Sequence, residues 1–132
     1  MGFSIKLTSK IPEIAAELRA RAAMLVTVTA FEIQADAMES MTGGKSGRMY
    51  GSHRASAPGE PPAIDTGLLV NTIGVMQEPG SASGLKAIVT PNADYAPHLE
   101  FGTTKMAPRP FLRPAFERAR DGFEAGLRSL LP

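Results

Sequence analysis

Apolar residues recur every three or four positions along the first third of the chain, at Ile11, Ile14, Leu18, Ala22, Leu25, Val28, Phe31, Ala35 and Met38. This spacing matches one face of an α-helix. Continued to about Met41, such a helix is roughly 45 Å long at 1.5 Å per residue, which is long for a chain of 132 residues. Ser9 is placed to cap its start, Pro12 falls in the first turn where a missing N–H costs little, and Glu13 faces the positive end of the helix dipole. The run LVTVT at 25–29 has strand character, but helix formers flank it and the stripe is unbroken, so helix is expected.

The remaining chain divides into short pieces. Phe3, Ile5 and Leu7 alternate with Ser4 and Lys6, the period of a half-buried strand. Residues 42–64 hold five glycines and three prolines with little apolar content, so they are expected to form a long mobile loop without regular structure. Asp65 to Ile73 opens with an Asx cap and sets Leu68, Leu69 and Val70 in a helical turn. Thr72 to Glu78 and Leu85 to Thr90 flank PGSASG, an antiparallel hairpin pattern closed by Pro91 and Asn92.

Tyr95 to Thr104 is expected to be an aromatic-bearing connector, with Glu100, Phe101 and Thr103 in a tight turn that Gly102 permits. Three prolines in KMAPRPFLRP forbid regular structure up to Pro114, where the last helix is expected to start. Its stripe is Phe116, Ala119, Phe123, Leu127 and Leu130, with Arg113/Glu117 and Glu124/Arg128 four apart on the wet side. Gly122 and Gly126 each weaken that helix by about 1 kcal/mol relative to alanine. They point either to close approach of another backbone, such as the Ala-rich start of the first helix, or to a frayed terminus. The pattern predicts a single α+β domain: a small antiparallel sheet, made of the first strand and the 72–90 hairpin, covered on one face by the first and last helices.

Composition removes several chemistries. The chain has no cysteine, which excludes disulfides, zinc ribbons, iron–sulfur sites and thiol nucleophiles. Its most apolar stretch, Ala22 to Phe31, is half of the roughly twenty residues that span a bilayer. The opening MGFSIKLTSK lacks the apolar core of a signal peptide, so the domain is expected to begin near residue 3, and the absence of cysteine fits assembly in a reducing cytosol. The net charge is only +1, yet it alternates along the chain: −1 over 1–41, +2 over 42–64, −3 over 65–100 and +3 over 101–132. Segregated charge suits a protein that docks on copies of itself or on partners.

Catalytic groups are sparse. Ser52-His53 lies in a glycine-rich stretch that does not hold a base rigidly. Glu32, Asp36 and Glu39 share a helical face and read as a wet or docking stripe rather than a cation site. GGKSG lacks the GxxxxGK[ST] spacing of a phosphate loop. Lys45, Arg48, Tyr50, His53 and Arg54 combine positive charge with an aromatic ring, the elements of a weak nucleic-acid contact. No cofactor or metal is implied.

Three stretches taken together carry a resemblance: SAPGEPPAIDTGLL at Ser56 to Leu69, YAPHLEFGT at Tyr95 to Thr103, and RPFLRPAFE at Arg109 to Glu117. With a long helix before them and a terminal helix after, the chain resembles the small tail-completion, or minor tail component, family of long-tailed bacteriophages and prophages. The resemblance implies a virion structural protein with no enzymatic activity, assembled in the host cytoplasm. It implies a ring, a hexamer, on the head-proximal end of the tail, with the tail tube protein and head connector or neck proteins as partners. DNA would be met only in passage through the ring lumen. Two other readings stay open, a head-side neck connector (stopper) subunit and a small nucleic-acid-binding accessory protein.

The expected subunit or partner contacts are Arg48, Arg54, Tyr95, Glu100, Phe101, Arg109, Phe111 and Arg113. Arg109 and Arg113 flank Phe111 on a proline-stiffened strip, which displays them at little ordering cost. Tyr95, Leu99, Phe101 and Phe111 either cap the core between hairpin and final helix or contact a neighbouring subunit.

Overall fold

The computed structural model describes residues 2–4, 9–65, 67–77 and 85–131. The long helix α1 (Ile11–Thr42) has 32 residues and carries Pro12 and Glu13 in its first turn. Lys10, not Ser9, holds the N-cap position, while Ser9 Oγ accepts the Ile11 N–H at 3.2 Å from one residue further out. At the other end Gly43 leaves in an extended conformation, and the last carbonyls are satisfied by side chains. Ser40 Oγ donates to Ala37 O at 2.7 Å, Thr42 Oγ1 to Glu39 O at 2.7 Å, and Lys45 Nζ to Ser40 O at 2.8 Å. Lys45 thus supplies the cation that the last turn itself lacks.

The core stripe of α1 is Ala30, Ile33, Ala37 and Met41. Ile11, Ile14, Val28, Phe31 and Ala35, expected on the buried face, are exposed. Spacing cannot separate the two stripes, because α1 is apolar on opposite sides and both follow the helical repeat.

Residues 42–64 contain a hairpin that the composition did not suggest. Strand β1 (Met49–Tyr50) pairs antiparallel with β2 (His53–Arg54), and Gly51 turns between them at φ +64°. Polar bonds, not apolar burial, hold it. Gly47 N–H donates to Ala55 O at 2.9 Å and Ala55 N–H to Arg48 O at 3.0 Å. The backbones approach so closely there that a Cβ on Gly47 would lie 2.5 Å from the Ala55 and Ser56 carbonyl oxygens.

The short helix α2 (Leu68–Asn71) forms where a turn was expected, but Gly67, at φ +81°, is its N-cap in place of Asp65. It leads into β3 (Ile73–Gln77), which pairs antiparallel with β4 (Ala87–Pro91) from Ile73 opposite Pro91 to Gln77 opposite Ala87. The connecting turn and the expected first strand at Ile5 and Leu7 lie outside the described residues. The fold is α+β, with two separate two-stranded sheets among the described residues instead of one.

The expected connector is in fact helix α3 (Ala96–Phe101), so Glu100 and Phe101 are helical and the tight turn begins at Gly102. Gly102 has φ +76°, and a Cβ there would lie 2.8 Å from Met106 O, so both conformation and space require glycine. The last helix α4 (Leu112–Ser129) starts two residues before Pro114. It packs antiparallel on α1: Gly126 sits against Leu25 and Arg118 against Asp36, at 2.7 and 3.0 Å. Arg113–Glu117 forms as expected at 3.2 Å, and Glu124 meets Arg120 at 3.1 Å.

The core joins the C-terminal half of α1 to α2, β3, α3 and the start of α4 around Phe111, whose side chain is fully buried. No helix among the described residues is long and apolar enough to cross a membrane.

The two glycines of α4 differ. A Cβ on Gly126 would come within 2.8 Å of Leu25 Cδ1, a side-chain contact rather than the expected backbone approach, whereas Gly122 faces open space. Gly122→Ala should therefore stabilise the protein by about 1 kcal/mol. Gly126→Ala should gain less, because Leu25 has to move. Denaturant unfolding curves measure both.

Candidate functional site

Of the three stretches that carry the resemblance, the first lies well upstream of the other two, and all three meet at the N-terminus of α4. Prolines at 108, 110 and 114 restrict how the chain can enter this helix, and Phe111, its N-cap residue, offers no capping side chain. Glu100, the penultimate residue of α3, does the capping instead. Its carboxylate accepts the N–H groups of Phe111 at 2.9 Å, Leu112 at 3.1 Å and Arg113 at 2.8 Å. A carboxylate on three otherwise orphaned donors is stabilised by charge-assisted bonds and by the helix dipole together.

Arg109 ties in the remaining stretch. Its N–H donates to Leu99 O at 2.6 Å, its Nε to Ser56 O at 3.2 Å and its Nη1 to Ala107 O at 3.4 Å. Gly59 N–H donates to Pro108 O at 3.0 Å, and Ser56 is buried. Beside this knot lies a cavity of about 640 Å³ lined by residues of α1, α2 and the 50–65 segment together with Tyr95, Leu99 and Arg109.

Within 42–64, Glu60 acts as a local clasp. It accepts Ser46 N–H at 3.1 Å, Ala57 N–H at 2.9 Å and a short bond from Ser46 Oγ. The Ser46 hydroxyl first, then the Ala57 and Ser46 amides, pull the Glu60 carboxyl down to about 2. Lys45 nearby is lowered by burial, an effect that Glu60 opposes.

The expected contact residues therefore separate into two sets. Of the two roles open to Phe111, the core one is observed and the outward contact is corrected: it lies at the centre of the chain's own core, entered beside the Glu100 cap, and Leu99 packs beside it. Glu100 and Arg109 are engaged within the chain. Arg113 is exposed and pairs with Glu117 on its own helix. Tyr95 is 41% exposed and Phe101 75%, so these two face outward. Arg48 lies over the Tyr50 ring, 5.4 Å from guanidinium carbon to ring centroid, and Arg54 donates to Gly47 O at 3.0 Å. Both arginines are exposed on the hairpin.

His53 sits on β2 and His98 on α3, and Asp36 of the acidic triplet is taken by Arg118. Among the described residues no group of three or more His, Cys, Asp or Glu is arranged to hold a metal ion.

Sequence reasoning gave no role to Ser46, and it quoted Ser56 and Glu60 only as members of the first stretch; their partners are not local, since Ser46 and Glu60 are fourteen positions apart. Helix α3 had a readable sign in Pro97, which stands in its first turn. Comparison of the chain with known protein families, with curated proteins and with solved structures finds no match.

Two outcomes follow. Glu100→Ala should cost about 2–3 kcal/mol by orphaning three donors, and Glu100→Gln about half of that, since one amide oxygen still accepts; urea unfolding measures both. The Glu60 clasp, whose carboxyl is depressed, should be complete above the ordinary carboxylate range near 4.5 and be lost as pH falls toward about 2. In NMR titrations the Ser46 and Ala57 amides should report that low midpoint, and Ser46→Ala should raise it.

Proposed function

We propose that this protein is a structural subunit of the head–tail joint of a long-tailed bacteriophage or prophage particle, forming a ring on the head-proximal end of the tail. The observation that carries this reading is the meeting of the three resemblance-bearing stretches in one hydrogen-bonded knot. Glu100 joins the second to the third, and Arg109 joins the third to the first. Residues that match a family pattern and also bond to one another across the chain act as one structural unit, which chance likeness of loop segments does not require.

On this reading the subunit works by shape and charge, with no bond-making of its own. The knot fixes the body, and Tyr95, Phe101 and Arg113 on its outside are available to neighbours. The hairpin at 49–54 projects Arg48 and Arg54, which suit a partner or the DNA that passes through a ring. A free-standing nucleic-acid-binding role is the second reading, favoured by that same exposed basic hairpin.

Light scattering and electron microscopy of the purified protein separate the two. Ring-shaped particles, with a subunit number of six, are expected; a monomer whose DNA affinity falls steeply with salt supports the second reading. In extracts lacking the protein, tails and heads should fail to join, and added protein should bind first to tails. First binding to filled heads would place it on the connector side.

A further inference from the structure

Strand β4 carries an unpartnered edge. Among the described residues it pairs with β3 alone, so the backbone N–H and C=O groups on its other side meet no strand. An open apolar groove of about 1380 Å³ runs there, walled by α1 from Val26 to Ile33 and by Phe116 and Phe123 of α4. All five residues of β4 line it. Successive side chains of a strand point to opposite faces, so a groove that touches every one of them lies along the strand's edge and not on one face.

A row of backbone donors and acceptors is matched by another backbone in extended form. The sequence offers one. Phe3, Ile5 and Leu7 alternate with Ser4 and Lys6, which puts three apolar side chains on one side of an extended segment and two polar ones on the other. Residues 3–7 equal β4 in number, about 17 Å at 3.3 Å each, and the groove wall from Phe116 to Leu127 is about 16 Å long. Backbone pairing is indifferent to the three basic and three acidic side chains that line the groove.

The chain's own segment does not reach this place. Val26 stands about 22 Å along α1 from Ile11, whereas Ile5 extends at most about 20 Å back from Ile11 and Leu7 about 13 Å. Phe3 is 93% exposed, in water and not in a groove.

We propose that residues 3–7 of one copy add as a third strand to the free edge of β4 in the next, with Phe3, Ile5 and Leu7 in the groove and Ser4 and Lys6 toward water. A donated strand is a heterologous contact, the kind that closes into rings. This rests on the ring reading above and specifies what would hold neighbours together.

Proline removes the N–H groups that a ladder needs. In light scattering, Ile5→Pro combined with Lys6→Pro should turn the assembly to monomer with unchanged circular dichroism, and Ile5→Val should assemble like the wild type. Because the chain has no cysteine, introduced ones report alone. Ile5→Cys chains and Ile88→Cys chains should couple through a short bis-maleimide when mixed. Full assembly by the double-proline variant, or coupling only within a chain that carries both cysteines, overturns the strand donation and leaves the ring reading standing. A closed dimer that the prolines abolish supports the donation and overturns the ring, and a wild type that stays monomeric at every concentration overturns both.

Discussion

The Glu100 carboxylate at the start of α4 is the interaction on which the rest of the fold depends. Without it three backbone donors at a proline-bounded helix start have no partner, and the penalty for each partly buried orphan is of the same order as a hydrogen bond. With it, α3 and α4 are locked end to end and Phe111 is turned into the core. Arg109, two residues upstream, is then held where its guanidinium reaches Ser56 O, so one carboxylate also decides where the 42–64 segment lies.

That segment shows how a chain poor in apolar residues can still be ordered. Hydrophobic bookkeeping predicts that it stays open, and on burial alone that holds, since Met49 and Tyr50 of the hairpin are exposed. What closes it is polar: a two-residue ladder, a glycine that allows two backbones to touch, and a carboxylate shared by three donors. Each bond is worth little net in water. Their concentration at one clasp is what gives the segment a shape.

How far the fold was legible follows from which physical signal each part uses. The extent of α1 and the 73–91 ladder follow from hydrophobic periodicity, which reads directly from the residues, whereas the start of α4 does not, because its cap is the remote Glu100 and it begins two residues before Pro114. The face of α1 does not, because Val28 and Phe31 obey the same repeat as Ala30 and Ile33; only tertiary packing against α4 and β3–β4 chooses between them. The candidate site was half legible. Glu100, Arg109 and Phe111 stood out in the sequence as residues of a motif, but their inward roles arise from partners ten to fifty positions away, such as Ser56 for Arg109, and no local pattern encodes those.

The balance between buried and exposed apolar surface bears on how such a fold persists. Among the described residues the core holds one large, fully buried side chain, Phe111, with alanines at several of the other buried positions, while Met24, Phe31 and Phe116 remain half or more in water and Val28 nearly half. A chain of this size is only marginally stable even when well filled. A partner that covered these side chains and bound only the folded form would add to stability by mass action. The Glu100 cap acts on both sides of this arrangement, because α1 and α4 supply the inner packing with one face and carry exposed apolar side chains on the other, so the carboxylate that positions α4 also fixes where those side chains stand.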